Sequence, residues 1–266
     1  MKLQYWVVDA FTDRLFAGNP AAVLLPGRAL PTALMQSIAA ENNLSETAFA
    51  TPEGERGLWR LRWFTPTTEV DLCGHATLAT SFVLANQGHG SPFRFATRSG
   101  ILTATIAGDA IELDFPARPS KQISAPPGLA DALGVAAVET LQSADLVAVL
   151  GSAAEIAELR PDSAKIAALP GGAVIVTAAG GIDGADITSR YFAPAYGIAE
   201  DPVTGSLHTQ VVPYWAQKLG RNTLVCHQAS ARGGVLHCTL DGDRVRIGGT
   251  AVLYANGHIF VPGEHG

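Results

Sequence analysis

The chain has 266 residues, of which 47% are hydrophobic and 16% charged, and its mean hydropathy is +0.20. This composition supports a sizeable buried core and excludes a disordered chain. The net charge of −6, the scattered lysines and arginines and the lack of an apolar run of about 18 residues argue against nucleic-acid and membrane partners.

Short strands separated by turn residues and helices make up the first part of the chain. Runs rich in valine, leucine and aromatic residues predict strands at Leu3–Val8, Ala21–Leu25, Thr47–Thr51 and Leu58–Phe64. Apolar periodicity predicts an amphipathic helix over Pro31–Asn42, ending at Asn42-Asn43. Thr77–Gln87 is apolar on nearly every face, which predicts a helix surrounded by other elements.

Two predicted hairpins and a second helix follow. The hairpins have alternating strands joined at a Gly-Asp turn, and they are Ile101–Ile106 with Ile111–Phe115 and Val235–Leu240 with Val245–Ile247. A second central helix is predicted over Ser206–Leu219, before Gly220. The stretch 116–127 is rich in proline and polar residues and is predicted to be a linker.

Two pairs of segments repeat in the same order along the chain. Arg62–Pro66 matches Arg190–Pro194 in an Arg-aromatic-Phe-x-Pro pattern, and residues 98–113 match residues 232–247. Two collinear pairs indicate an internal duplication rather than coincidence. We therefore expect a first half at 1–116 and a second half at 117–266, each with a curved sheet around one central helix.

A turn of small residues precedes each central helix. These turns are Gly74-His75-Ala76 and Thr204-Gly205-Ser206. Free backbone N–H groups and the positive end of the helix dipole favour an anion at such a position. One turn alone could be an ordinary helix start, but the duplication favours a cleft in which both turns bind a carboxylate or a developing enolate.

Three polar residues are candidates for the chemistry. Glu46 lies between the first helix and an apolar strand, where a partly desolvated carboxylate can transfer protons, although it could simply be a solvated strand residue. Asp201 precedes Pro202 and could act in the site or only cap the helix. His75 could contact a ligand or hydrogen-bond locally, and the positive helix end is expected to favour its neutral form.

The cysteines and the missing nucleotide motifs limit the chemistry. Cys73, Cys226 and Cys238 are odd in number and lack CxxC spacing, which favours a reducing cytoplasm and argues against disulfides and a zinc site. Cys73 could be an activated thiol, but we interpret it as a small buried filler because the second repeat has Asp201 or Pro202 there. No nucleotide-binding motif occurs, so neither cofactor nor metal is expected, and the first residues do not resemble a signal peptide.

Several motifs resemble those of the PhzF-like family, the relatives of a phenazine-biosynthesis isomerase. They are Asp9–Thr12, Phe16–Val23, Asn43–Thr47, Gly74–Thr77 and Glu200–Ser206, and they span most of the chain. The resemblance implies an α+β, diaminopimelate-epimerase-like fold, with two pseudo-symmetric β-barrel-like halves each around a central helix. It also implies a homodimer.

The resemblance further implies a function. It predicts a cofactor-independent isomerase that shifts a proton in a small carboxylate substrate, similar to trans-2,3-dihydro-3-hydroxyanthranilate isomerase. Glu46 would be the proton-shuttling acid/base, and His75 and Asp201 would hold the polar groups of the substrate and assist the shift. The substrate-binding residues would be Ser45, Gly74, Ala76, Thr204, Gly205 and Ser206.

Two other functions are compatible with the same residues. One is an epimerase or racemase of amino-acid-like substrates, with Cys73 or Glu46 as one base and Asp201 as the other. The second is a non-catalytic protein that binds a small anionic molecule in the cleft.

Overall fold

A computed structural model describes residues 1–55 and 57–262. Its α-helices are α1 Thr32–Asn42, α2 Gly74–Asn86, α3 Leu129–Leu133, α4 Ala153–Glu158, α5 Ser163–Ala167 and α6 Gly205–Leu219. Its strands are β1 Lys2–Ala10, β2 Asn19–Leu24, β3 Glu46–Pro52, β4 Leu58–Phe64, β5 Glu69–Val70, β6 Phe93–Thr97, β7 Gly100–Ala107, β8 Ala110–Pro116, β9 Lys121–Ile123, β10 Glu139–Gln142, β11 Leu146–Val149, β12 Val174–Ala179, β13 Ile187–Ala193, β14 Ile198–Asp201, β15 Thr223–Gln228, β16 Gly234–Asp241, β17 Arg244–Gly249 and β18 Ala251–Phe260.

The chain divides into two compact units. The first contains Met1–Asp114 together with the chain from Gly248 onward, and the second contains Phe115–Ile247. The predicted halves, 1–116 and 117–266, differ from these units at the C-terminal end. The difference arises because β18 pairs antiparallel with β1, so that Lys2 lies opposite Phe260. The predicted linker at 116–127 also contains a strand, β9, which pairs with β10.

The sheet of the first unit surrounds α2. Strand β1 pairs antiparallel with β2 and β18, β2 pairs parallel with β3, and β3 pairs antiparallel with β4. Strand β4 pairs antiparallel with β5 and parallel with β6, and β6, β7 and β8 continue antiparallel. Helix α2 packs against β1, β2, β3, β7 and β18. Its apolar residues Ala76, Leu78 and Ala79 have no exposed surface, as expected for a helix that is apolar all round.

The second unit has its own sheet and core. Strands β9, β10 and β11 are antiparallel, β11 and β12 are parallel, and β12 and β13 are antiparallel. Strand β13 also pairs antiparallel with β14 and parallel with β15, and β15 pairs antiparallel with β16. Helix α6 packs against β12, β15 and β16, while the short helices α4 and α5 cover β12 and β13. These short helices were not predicted.

The duplicated segments form corresponding elements in the two units. Strands β16 and β17 begin 134 residues after β7 and β8, respectively. The turns between them contain Gly108 with φ 63° and Gly242 with φ 59°, a left-handed conformation that favours glycine. Within residues 1–55 and 57–262, none of the helices has the length and hydropathy needed to cross a membrane.

Candidate active site

Glu46 and Asn19 are brought together by a pair of parallel strands. Strand β2 begins at Asn19 and β3 begins at Glu46, and the parallel register places Ala21 opposite Glu46. The two side chains therefore lie at the same end of the sheet. Helix α1 connects these strands and ends at Asn43, whose left-handed φ of 48° turns the chain toward β3. The predicted helix end at Asn42-Asn43 is confirmed.

A tight loop before β2 fixes the position of Asn19. Gly18 has a φ of 64°, and a Cβ atom at this position would lie 2.1 Å from the Ala10 carbonyl oxygen, so only glycine fits. Ala10 is the β1 partner of Asn19. In the same loop, the backbone N–H of Phe16 donates to the Asp9 carboxylate at 3.0 Å.

The start of α2 places His75 among three polar side chains. The helix begins at Gly74, three residues before the predicted start, with Cys73 as its N-cap residue. His75 Nε2 lies 3.0 Å from Glu46 Oε2. His75 Nδ1 lies 3.2 Å from the side-chain nitrogen of Asn19 and 3.5 Å from Cys73 Sγ. Only 5% of the His75 side chain and 13% of the Glu46 side chain are exposed, so the cluster is largely withdrawn from water.

The electrostatic environment of His75 differs from the one expected. Burial by itself lowers the pKa of the imidazole, but Cys73 and Glu46 outweigh this effect and hold the pKa well above its ordinary value. The expectation that the helix start favours neutral His75 is therefore wrong. The error arises because the sequence shows the helix end but not the carboxylate that the fold places 3.0 Å from the ring.

Burial disfavours the thiolate form of Cys73. Burial and the Glu46 charge raise the pKa of this thiol to about 11, although His75 and the Ala76 backbone N–H act in the opposite direction. Cys73 is therefore not an activated thiolate. It nevertheless contacts His75, which gives it a place in the site that the interpretation as a filler missed.

The same residues have the composition of a metal-binding cluster. One ligand-type atom from each of Glu46, Cys73 and His75 lies within 4.8 Å of the others. Cysteine spacing had argued against a zinc site, but spacing along the chain does not detect ligands contributed by a helix start and a distant strand.

In the second unit, a set of hydrogen bonds holds the start of α6. Thr204 is the N-cap residue, and its backbone N–H donates to Gln228 Oε1 at 2.7 Å. Gln228 Nε2 donates to the Asp201 carbonyl oxygen at 2.9 Å, and the Thr204 hydroxyl donates to the Asp201 carboxylate. Asp201 is half-buried and is the β13–β14 partner of Tyr191.

The duplicated Arg-aromatic-Phe motif builds the same local structure in each unit. Arg62 makes a bidentate ion pair with Glu69 at 2.7 Å, and its guanidinium lies 5.1 Å from the Phe64 ring centre. The corresponding Arg190 pairs with Glu200 at 2.7 and 2.9 Å and lies 4.8 Å from the Phe192 ring centre. In both units this structure precedes the strand that leads into the central helix.

The predicted site residues fall into two groups. Ser45, Glu46, Gly74, His75 and Ala76 belong to the first unit, and Asp201, Thr204, Gly205 and Ser206 belong to the second. The Ala76 side chain is fully buried, so only its backbone could face a ligand. The predicted cleft between the two groups, and the roles of their members, remain predictions.

The sequence analysis assigned no role to Asn19. It interpreted Cys73 mainly as a buried filler without a role in the site. Both contact His75. Asn19 belongs to the Gly-Asn-Pro motif quoted for the family resemblance, which was the one available signal. Cys73 is two residues before His75, close enough in sequence for a contact to be considered.

Comparison with known proteins identifies the family. The profile of the phenazine biosynthesis-like protein family, PhzC-PhzF, matches residues 8–257. A Pseudomonas aeruginosa protein named as an uncharacterized isomerase is 49% identical over 259 residues, which cover 97% of this chain and 98% of the relative. The chain belongs to the phenazine biosynthesis-like family.

Solved structures confirm the predicted fold. A PhzF-family phenazine biosynthesis protein from Enterococcus faecalis is 45% identical, with a TM-score of 0.94 over 98% of this chain and 100% of that one. A hydroxyproline epimerase from Agrobacterium vitis is 11% identical, with a TM-score of 0.59 over 97% of this chain and 92% of that one, and shares the fold. The family resemblance and the diaminopimelate-epimerase-like fold are both confirmed.

Proposed function

We propose that this PhzF-family protein is a cofactor-independent isomerase that moves a proton within a small carboxylate substrate. The observation that carries the proposal is the buried pair in which Glu46 Oε2 lies 3.0 Å from His75 Nε2. A carboxylate beside an imidazole can accept a proton from a substrate carbon and return it to another carbon, and this transfer needs no metal or cofactor. The uncharacterized isomerase that is 49% identical to this chain supports the same reaction class.

In the proposed mechanism, Glu46 is the base and then the acid. It accepts the proton from a carbon of the substrate, becomes neutral, and donates the same proton to a second carbon. The His75 ring, whose Nε2 lies 3.0 Å from Glu46 Oε2, would hold the carboxylate in place by its positive charge. Asn19 contacts the opposite ring nitrogen and fixes the ring orientation, which keeps the transfer geometry constant.

The substrate carboxylate would be held at the start of a central helix. The backbone N–H groups of Gly74 and Ala76 belong to the first turn of α2, where helix N–H groups lack intrahelical partners. Ser45 immediately precedes Glu46 and would supply a hydroxyl. Thr204, Gly205, Ser206 and Asp201 would provide the corresponding contacts from the second unit.

Hydrogen exchange tests this proposal. Candidate small carboxylates are incubated with the protein in deuterium oxide and followed by NMR for isomerisation and deuterium uptake at carbon. Glu46→Gln keeps the shape of the side chain but removes the base, so turnover should fall by about 10²–10⁴-fold. Glu41→Gln, an exposed glutamate of α1, is the matched control and should keep full activity. Retained activity in Glu46→Gln would overturn the proposal.

Epimerisation is the second candidate function, and the 3.5 Å contact between Cys73 Sγ and His75 favours it. A protonated thiol could donate to one face of a carbanion while Glu46 or Asp201 acts on the other. Cys73→Ala separates the two functions. An isomerase that uses Glu46 keeps turnover in this variant, whereas a thiol-dependent epimerase loses it together with the inversion of substrate configuration.

The proposal includes a cytoplasmic homodimer. All three cysteines are buried free thiols, which suits a reducing compartment, and the family resemblance implies the dimer. Light scattering of the purified protein should give about twice the 27.7 kDa chain mass, and a monomer mass would remove this part of the proposal.

A further inference from the structure

The second unit contains a surface cavity, beside the starts of β11 and β12, that the proposed mechanism does not use. Its volume is about 160 Å³, which is comparable with a cavity of about 150 Å³ that holds one benzene ring. Gln142, Asp145 and Tyr196 line it, and the rest of the wall consists of alanine, leucine, proline and glycine. A cavity of this size and composition has room for one end of a small molecule.

The internal repeat explains why this space exists. The matching phenylalanines of the repeat pair with Thr47 in β3 and with Val174 in β12. The residues immediately before these two, Glu46 and Ala173, therefore occupy corresponding positions in the two units. Ala173 lines the cavity, so a methyl group in the second unit leaves space at the position where the first unit has a glutamate side chain.

The neighbouring strand supplies a carboxylate instead. In the first unit, Ala21 of β2 lies opposite Glu46. The parallel register of β11 with β12, extended by one residue, places Asp145 beside Ala173 at the position that corresponds to Ala21. The two units therefore have the carboxylate and the alanine on opposite members of the same strand pair.

Asp145 is held in place by uncharged donors. The Tyr191 hydroxyl donates to Asp145 Oδ1 at 3.3 Å, and Gln210 Nε2 donates to Oδ2 at 2.7 Å. The backbone N–H of Asp145 in turn donates to Gln210 Oε1 at 2.9 Å. Because a carboxylate has about four lone-pair sites, both oxygens can still accept a hydrogen bond from a ligand.

The surroundings of this carboxylate are electronegative. Burial, followed by the negative charges of Asp145 and Asp201, raises the pKa of the Tyr191 hydroxyl. Within residues 1–55 and 57–262, Asp145 forms no ion pair, and the buried arginine of this unit, Arg190, binds Glu200 instead. A partly buried anion without a counter-charge is unfavourable, and a cationic ligand would compensate for it.

We propose that this cavity binds the primary ammonium group of a small organic molecule, with Asp145 as its counter-ion and Tyr196 as an aromatic wall. An ammonium nitrogen has three N–H donors, and the Asp145 carboxylate and the Gln142 amide oxygen can accept them. Gln142 Nε2 already donates to the Ser143 carbonyl oxygen at 3.0 Å, which leaves its oxygen for a ligand. An aromatic ring attracts a cation as well. Calcium fits less well, because it takes about six to eight oxygen ligands.

The n-butylammonium ion is the probe, and n-butanol, which has nearly the same shape without the charge, is the control ligand. Titration of the isotope-labelled protein is followed by NMR. The probe should shift the signals of the cavity residues until they saturate, and n-butanol should bind at least about 10-fold more weakly. Equal affinity for the two ligands, or no binding of the probe, would overturn the proposal.

Variants identify the counter-ion. Asp145→Asn keeps the shape of the side chain and should weaken binding of the probe by about 10–100-fold. Asp131→Asn, at an exposed carboxylate of α3, is the matched control and should keep the wild-type affinity. Tyr196 is 67% exposed, so Tyr196→Leu should fold normally and weaken binding by about 2–5-fold. Undiminished binding in Asp145→Asn would contradict the assignment.

A measurement on the wild-type protein does not depend on whether the variants fold. Nuclear Overhauser effects between the methylene protons of n-butylammonium and the Tyr196 ring are the expected result. Effects only with residues outside the cavity would contradict the proposed site. This binding does not depend on the proposed isomerase function, so a protein without turnover would still show it, and failure to bind the probe would leave the proposed function intact.

Discussion

The two central helices each carry one buried histidine near their start, and the two side chains have opposite protonation behaviour. In α2, the pKa of His75 is raised because Cys73 and Glu46 outweigh the effect of burial. In α6, burial lowers the pKa of His208 to about 4, and the hydrogen bond to the Thr204 carbonyl oxygen opposes this only partly. Neither ring has appreciable contact with solvent, so the difference comes from the neighbouring groups.

This contrast shows that the duplicated scaffold does not carry duplicated chemistry. Both units have the Arg–Glu pair and the Arg–Phe contact ahead of the helix. Only the first helix start places a carboxylate against its histidine. In the part of the chain that the structure describes, His208 Nε2 has no hydrogen-bond partner. The second start is therefore built around an uncharged imidazole, and the first around an ionisable pair.

The largest expected effect concerns the arginines that support the two helix starts. Arg190 binds both Glu200 oxygens and the carbonyl oxygens of Ile156 and Leu159, and only 10% of its side chain is exposed. Arg190→Met leaves Glu200 and two carbonyls without this partner, so we expect a loss of about 3–5 kcal/mol in the free energy of unfolding. Urea denaturation followed by circular dichroism measures it.

Arg62→Met is the matched variant in the first unit. Glu69 keeps a second partner, Arg98, and Arg62 is more exposed than Arg190, so the expected loss is only about 1–2 kcal/mol. Equal losses for the two variants would show that the two supports are energetically equivalent and would remove this part of the contrast.

The next effect is an acid sensitivity that originates at His208. Its pKa is 6.5 in its ordinary state and about 4 in the folded protein. The unfolded chain therefore binds the proton first as the pH falls. The stabilising contribution is complete above pH 6.5 and is lost as the pH falls toward 4, a difference of about 3 kcal/mol. Urea denaturation midpoints measured at several pH values between 7.5 and 4.5 would report this loss of stability.

His208→Leu removes the titrating group and should flatten this pH dependence. His258→Gln, at an exposed histidine of β18, should leave the slope unchanged. If His208→Leu retained the slope of the wild-type protein, the acid sensitivity would have to arise elsewhere.

A smaller effect tests the loop that positions Asn19. Gly18→Ala places a Cβ atom 2.1 Å from the Ala10 carbonyl oxygen at a φ of 64°, and we expect a loss of about 1–3 kcal/mol. Gly27→Ala, where a Cβ atom meets nothing within 4 Å, should change stability by less than about 0.5 kcal/mol. Equal stability of the two variants would show that the loop relaxes easily.

The sequence predicted the parts of the fold that depend on local pattern. The helix ending at Asn43, the all-round apolar α2 and the repeated strand-turn-strand segments are each defined by periodicity or by a turn residue. The pairing of β18 with β1 joins chain segments about 250 residues apart, and no local pattern specifies such a partner. For the same reason, the predicted halves differ from the two compact units at β18.

The sequence predicted several residues of the candidate site, but it did not predict their contacts or the protonation of His75. Motifs identified Glu46 and His75, and the structure places them 3.0 Å apart. The contacts of Asn19 and Cys73 with His75 depend on the parallel register of β2 with β3 and on where α2 begins. The protonation behaviour of His75 follows from those contacts, so the helix dipole alone predicted it incorrectly.

The most direct test of this account is the titration of His75 by NMR, for the wild type and for Glu46→Gln. If Glu46 and His75 form one coupled pair, the wild-type imidazole titrates above its ordinary pKa of 6.5, and the pKa falls when Glu46 becomes an uncharged amide. A wild-type His75 that titrates below its ordinary value, or one that does not respond to Glu46→Gln, would contradict the central claim.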